Sequence, residues 1–312
     1  MTRAPVRGGL TTLTADLLLL TCALIWGTTF VAQKMATQHM GPVLFNGLRH
    51  LIGAAVVLPL AIRGWRLCKD PTARRTAITG GLLAGLAMFA GSTTQQVGMQ
   101  TASISSAGFI TGLYVIIVPL LGLAVGQRVR WPVWTGALLA VVGLFFLSLF
   151  DPTGDGLHLN TGDMWVLACA FAWAFHVQIL GWAAPSADPF VISVVQFAVT
   201  GIGGMAVSLV LSLGFSSETW GAREAFHWDS LTATLGPLAF ASVLSTGLAF
   251  TLQVVAQRKA PPAHTAILLS LESVFSALAE AACLSFGVLG LASMGSPMTA
   301  WKLLGCALMF CG

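Results

Sequence analysis

Trp26, Thr29, Phe30 and Gln33 stand at i, i+3, i+4 and i+7, a spacing that puts side chains on one face of a helix, and Cys22 shares that face. An indole, a hydroxyl, a phenyl ring and an amide on one stripe suit a planar, partly apolar molecule that also hydrogen-bonds. Trp173 and His176 repeat this face later in the chain. Two indoles from different helices would clamp a ring, and a histidine there would bond a carboxylate or carry a proton. Ordinary helix packing uses the same residues. Gln96 and Gln253, with Gln95, Gln100 and Gln257 nearby, can bind carboxylate and amine without burying net charge. Bonding between helices is their other use.

Ionisable residues inside apolar runs are the next candidates. Glu272 lies about ten residues into its run, near mid-depth at ~1.5 Å per residue. Glu280 follows two turns later. Such groups are costly in a bilayer and default to a functional reading. Glu272, Glu280 and His176 are therefore the proton-coupling candidates, the other use of each acid being a protonated carboxyl bonded to a neighbouring helix. Arg49, about two turns into its run, snorkels outward, holds an acid such as Glu272 or Glu280, or attracts a substrate carboxylate; structural pairing is the preferred use. Lys302, near a run end, snorkels.

These side chains need a scaffold that the composition restricts. Hydrophobic residues make up 56% of the chain and charged residues 8%, against roughly 25% charged in soluble domains. So much apolar surface calls for a bilayer. Ten apolar runs lie near 14–33, 42–62, 77–98, 102–125, 131–150, 163–181, 189–214, 232–255, 263–289 and 298–312. They are too long and continuous for barrel strands, so they read as helices. The first, followed by nine others and by no small-residue cleavage site, reads as a span rather than a removed signal. The expected class is all-α integral membrane protein with ten transmembrane helices.

Eleven loop cations lie on the side of the N-terminus, among them Arg3, Arg63, Arg74, Arg128 and Arg258. Only Lys34 and Arg223 lie opposite. The positive-inside bias puts both termini in the cytoplasm of a bacterial inner membrane. The acids Asp151, Asp155, Glu218, Glu224 and Asp229 fall in external connections, the longest being 215–230. Trp131, Trp134, Trp165, Trp182, Trp220, Trp228 and Trp301 flank runs as interfacial anchors. Gly81–Gly85, Gly108–Gly112 and Gly122–Gly126 read as small-residue pairs for close helix packing.

An internal repeat organises the chain. An offset of 147 places Asp16–Phe30 on Asp163–Val177, matching Asp16 with Asp163, Cys22 with Cys169 and Trp26 with Trp173. Gln96–Gln100 echoes Gln253–Gln257, and Trp134–Gly143 echoes Trp301–Gly312. Each half, 1–150 and 151–312, then holds five helices. Five is odd, so the second half enters the membrane from the other side. Inverted repeats around a mid-depth cavity are a transporter architecture. The last run is shorter than its partner, which continues to Phe150, so the complete protein is expected to extend beyond Gly312.

With ALIWGTTFVAQK in the first run, NGLRHLIGAA in the second, GQRVRWPVWTGALLAVVG across the fourth and fifth, and ILLSLESVFSALAE in the ninth, the chain resembles the drug/metabolite transporter superfamily, in its ten-helix EamA-type branch. Among its members it is most similar to aromatic amino acid exporters of the YddG type. The resemblance implies a central cavity lined by helices 1–4 and 6–9, with helices 5 and 10 at the flanks. It also implies export as the direction and an aromatic preference, and it adds Tyr114 and Ser270 to the expected substrate-binding residues. Ser273 stands where the family has proline, so a kink is expected to sit elsewhere.

No nucleotide-binding loop, metal-ligand spacing or basic aromatic stripe occurs in the sequence. The expectation is a non-enzymatic secondary transporter with no cofactor, no metal and no nucleic-acid partner, acting as a monomer on a small-molecule substrate in the lipid bilayer. The six cysteines read as packing residues. A membrane-embedded enzyme for lipid-linked substrates is the alternative, with Asp151, Asp155 and His158 its only hint. A passive channel or lipid-handling protein is a third.

Overall fold

The computed structural model describes residues 10–148, 160–214, 218–286 and 299–311, and among these every regular element is helical. Asp151, Asp155 and His158 lie outside the described residues, as does the Trp220 side chain. The main helices are α1 (Thr12–Ala36), α2 (Pro42–Leu67), α3 (Pro71–Gly98), α4 (Ile104–Ala124), α5 (Trp131–Ser148), α6 (Thr161–Ala183), α7 (Pro189–Ser212), α8 (Trp228–Ala256), α9 (Pro262–Ser285) and α10 (Ala300–Cys311). Eight are long and apolar enough to cross a membrane; α5 and α10 are shorter apolar helices. Leu17, Leu24, Val56, Leu60, Leu86 and Leu209 are exposed on their outer faces, where lipid takes the place of a core.

Local chemistry sets the ends. Pro42, Pro71, Pro189 and Pro262 occupy first-turn positions, where proline's missing N–H costs nothing. Asp70 and Asp188 cap α3 and α7 by accepting from backbone N–H groups of the first turn. Asn160 and Asp163 form a reciprocal capping box on α6. The Asp70 cap starts α3 six residues before the apolar run does, because capping and propensity carry a helix past the hydrophobic boundary.

The α2 start has no side-chain cap of its own. Its amides at Val43 and Leu44 donate instead to Glu224 at 3.1 and 2.7 Å, from the short helix Glu218–Glu224. The sequence reading places Glu224 in an external loop; it is 2% exposed. Burial pushes its carboxyl pKa up, against the lowering pull of the two amides. A folded-state pKa above the unfolded one means that the folded state binds the proton more tightly. This contribution to stability is present below the ordinary carboxylate range and declines as pH rises through the raised value. Glu224→Ala, which orphans both amides, is expected to cost about 1–3 kcal/mol in denaturant titration. Glu224→Gln keeps one acceptor, so it should cost less and flatten that decline with pH.

Helix pairing has a simple order. The pairings α3–α6, α3–α7 and α1–α9 become α8–α1, α8–α2 and α6–α4 when each helix number is shifted by five, and α2–α7, α4–α9 and α5–α10 map onto themselves. Asp16 of α1 bonds His264 at the start of α9 at 2.7 Å; its counterpart Asp163 accepts from Ser106 at the start of α4 at 2.6 Å. Of the small-residue pairs, Gly81 and Gly85 face Val195 and Val199 of α7, and Gly108 and Gly112 face Ser276 and Ser273 of α9. The third pair fails: α4 ends at Ala124, and Gly126 turns the chain at φ 80°.

Two helices break halfway. Leu113 interrupts α4 and Leu271 interrupts α9, each with its N–H bonded three residues back rather than four. Neither break holds a proline. Ser273, the departure from the family pattern, donates to the Gly108 carbonyl at 2.6 Å and so ties α9 to α4. In α8, residues Ala241–Phe250 form a π-helix that follows Pro237.

Candidate functional site

The two breaks, the π-helical stretch and the Trp26 stripe meet at one cavity with an empty volume of about 490 Å³. Its wall comes from α1 (Trp26, Thr29, Phe30, Gln33), α2 (Arg49), α3 (Gln95), α4 (Thr111, Tyr114), α6 (Trp173, His176, Val177), α8 (Ser245, Phe250, Gln253) and α9 (Leu269, Glu272). All of these except Trp26 are buried. Helix α7 lines none of it, contrary to the expectation from the family resemblance. It stands behind the wall, where Gln196 bonds His176 Nε2 at 3.0 Å. Helices α5 and α10 pack on each other, away from the cavity.

Close approach makes the wall possible. Gly27 lets α1 lie directly on α9: a Cβ there would meet the Glu272 carbonyl oxygen at 2.7 Å and the Ser276 nitrogen at 2.8 Å. Trp26, one residue earlier, donates from Nε1 to the Ser245 carbonyl at 3.4 Å, and Cys22 donates to that of Ala249 at 3.1 Å. These bonds fix α1 to the π-helical part of α8.

The aromatic part differs from a two-indole clamp. Phe250 sits between the tryptophans, 4.5 Å from the Trp26 ring centroid and stacked 5.5 Å from that of Trp173. His176 meets both Trp173 and Phe250 edge-on at 5.4 and 6.0 Å. The protein's own phenyl ring fills the slot in this conformation.

The polar part is an amide chain. Gln33 donates to Gln95 at 3.4 Å, and Gln95 donates to the Thr111 hydroxyl at 3.1 Å. Gln253 donates to Gln257 at 3.1 Å, which donates to the Val177 carbonyl at 2.9 Å. Glu272 and Tyr114, each directly after its helix break, meet through their side chains. His176 Nδ1, Arg49 Nε, Gln253 Oε1 and Glu272 Oε1 are buried without a partner, which leaves donors and acceptors for a bound molecule.

Of the residues singled out from sequence, Trp26, Thr29, Phe30, Tyr114, Trp173, His176, Gln253 and Glu272 come together here. Three do not. Gln96 is fully buried behind the wall and donates to the Gln33 carbonyl at 3.1 Å, because its neighbour Gln95 takes the cavity face. Ser270 donates to the Ile267 carbonyl within its own helix. Glu280 accepts from Ser105 at the far end of α9, outside the lining. The Arg49 pairing with Glu272 or Glu280 is also absent: Arg49 has no ion pair or hydrogen bond among the described residues. Phe250, Ser245 and Thr111 were not singled out. The π-helix hides the α8 pair, since residues five apart reach one face only when the helix is wider than α.

Comparison with known proteins follows this architecture. The EamA-like transporter family matches residues 13–149. A protein of Archaeoglobus fulgidus named as an uncharacterized transporter is 31% identical over 89% of this chain and 80% of its own length. A probable amino-acid metabolite efflux pump of Salmonella typhimurium is 27% identical over half of each chain. A solved crystal structure superposes with a TM-score of 0.67 at 19% identity, covering 95% of this chain and 94% of its own; it shows the same fold. With the spans, the cavity and this relationship along most of its length, the chain is a multi-pass membrane protein that belongs to the EamA-like transporter family.

Proposed function

We propose that this protein is a secondary transporter that exports amino acids, aromatic ones favoured, and related small metabolites by alternating access. Two inverted five-helix repeats, residues 1–150 and 151–312, rock about the central cavity. The membrane is the bacterial inner membrane, with both termini cytoplasmic.

One observation carries the reading. The cavity draws on both halves: the repeat-related pair Trp26 and Trp173, Gln95 (next to the repeat-related Gln96) and Gln253, and the helix breaks beside Tyr114 and Glu272. The five-step relation among helix pairings supports the repeat, and five helices per half support its inversion. A wall of rings, amides and a hydroxyl suits an apolar side chain joined to a polar backbone group. The amino-acid assignment draws on the wall's chemistry and on the name of the Salmonella relative.

Uptake of labelled phenylalanine, tryptophan, serine and cysteine into proteoliposomes, with and without a pH gradient, tests this. Transport of aromatic over small amino acids is expected; equal rates across the panel would remove the aromatic preference, and no transport would remove the function. Trp26→Ala and Trp173→Ala should each reduce phenylalanine transport about tenfold, the loss of one ring contact and its buried area, while inserting into the membrane normally. Unchanged transport by both would take the tryptophans out of the site.

A further inference from the structure

We infer that Arg49 is the anion anchor of the cavity, so that the substrate class is molecules bearing a carboxylate, held by that group against α2. This rests on the reading of the cavity as a substrate site and adds which residue selects the ligand and by what charge.

Arg49 is 2% exposed and lies in the cavity wall. A guanidinium stays protonated in a protein, and burying it without a counter-charge is expensive. Among the described residues, no carboxylate lies within ion-pair distance of it. Phe45, with its ring centroid 5.9 Å from the guanidinium carbon, gives only a cation–π contact. The adjacent residue His50 bonds the Asn46 carbonyl with Nδ1 and leaves Nε2 without a partner.

Five of the described carboxylates are engaged elsewhere. Asp16 holds His264, Asp163 caps α6, Asp188 caps α7, Glu224 caps α2, and Glu280 accepts from Ser105. Glu272 shares the cavity but is not within the 4.0 Å of an ion pair. The guanidinium fork matches a carboxylate in shape and charge. A bound acid would supply the missing anion, with its apolar part lying along Phe250 and Trp26. A cation beside Arg49 would meet like charge.

The test uses the purified full chain in lipid nanodiscs and four probes of one size: L-phenylalanine, 3-phenylpropanoate, L-phenylalaninamide and 2-phenylethylamine. Calorimetric titration of the wild type should show the two carboxylates binding about tenfold or more tighter than the two that lack one, as expected for a charge-assisted bond. Arg49→Met should erase that difference, and Arg49→Lys should retain part of it. If Arg49→Met does not yield monodisperse protein, the wild-type and Arg49→Lys titrations decide. Carboxylate binding that is unchanged in Arg49→Met, a wild type that prefers the amide or amine, or a wild type that binds no carboxylate would each overturn the inference.

Proteoliposome transport separates the two claims. Carboxylate binding that depends on Arg49, with no amino acid transported, leaves the anchor standing and removes the transport function. Phenylalanine transport that survives in Arg49→Met does the reverse.

Discussion

Gly27→Val is expected to abolish phenylalanine transport and to prevent recovery of monodisperse protein. The new Cβ would press on the Phe275 Cβ, the Glu272 carbonyl and the Ser276 nitrogen. These are backbone atoms or the root of a side chain, so no rotamer change relieves them; α1 and α9 must separate. Overpacking of this kind costs about 1–3 kcal/mol and sometimes more. The damage falls where Trp26 and Glu272 face the cavity, so a smaller insertion should impair function before it impairs folding. Gly27→Ala, with one methyl, should still insert but transport poorly. Gly236→Ala is the control, because a Cβ there meets nothing within 4 Å, and it should be as stable as the wild type or more so. Size-exclusion profiles, thermal unfolding and phenylalanine uptake of the three variants measure this. A Gly27→Val protein that folds and transports normally would mean that α1 and α9 are not closely packed in the working protein.

The second large effect is expected at Lys34. The sequence reading counts it as a loop cation on the side opposite the N-terminus. It lies instead in the last turn of α1, 1% exposed. Its ammonium donates to the carbonyls of Met99 at 2.7 Å and Ala102 at 2.8 Å, with Gln100 at 3.4 Å. Helix α3 has no basic residue in its own last turn, so α1 supplies the positive charge its C-terminal carbonyls favour. Lys34→Met keeps the apolar stem and orphans those carbonyls. A loss of about 3 kcal/mol is expected, read as a lower midpoint in denaturant titration. The selectivity among the four phenyl probes should not move, since Lys34 does not line the cavity. A midpoint equal to that of the wild type would show that water replaces the ammonium without cost.

Much of the scaffold was legible because it depends on quantities a sequence carries directly. Run length and continuity of apolar residues gave ten helices within a few residues of their ends. Where the ends differ, as at Asp70, a cap extends the helix beyond the apolar stretch. The Trp26 stripe was legible because α1 is α-helical throughout and keeps its 3.6-residue phase. The echo of that stripe found Trp173 and His176 for the same reason.

What stayed hidden depends on phase and on contacts between distant segments. Gln95 and Gln96 differ by about 100° around α3, and the repeat alignment points to Gln96, whereas α3, packed on α6 and α7, presents Gln95 to the cavity and Gln96 to the Gln33 carbonyl. Phe250 aligns with Thr93 in the repeat and so has no aromatic counterpart there, and the π-helix around it shifts the face that any 3.6-residue count would assign.

The amino-acid sequence by itself determined that this is a helical membrane protein, where its long apolar helices lie, and which stripes of α1 and α6 face inward, because hydrophobic length and helical period are local properties. Tertiary structure alone decided that Arg49 faces a cavity with no described carboxylate within ion-pair distance, that Glu224 crosses to cap α2, and that Phe250 fills the space between two tryptophans. Each of those depends on which far segment comes within bonding distance, and spacing along a chain carries no measure of that.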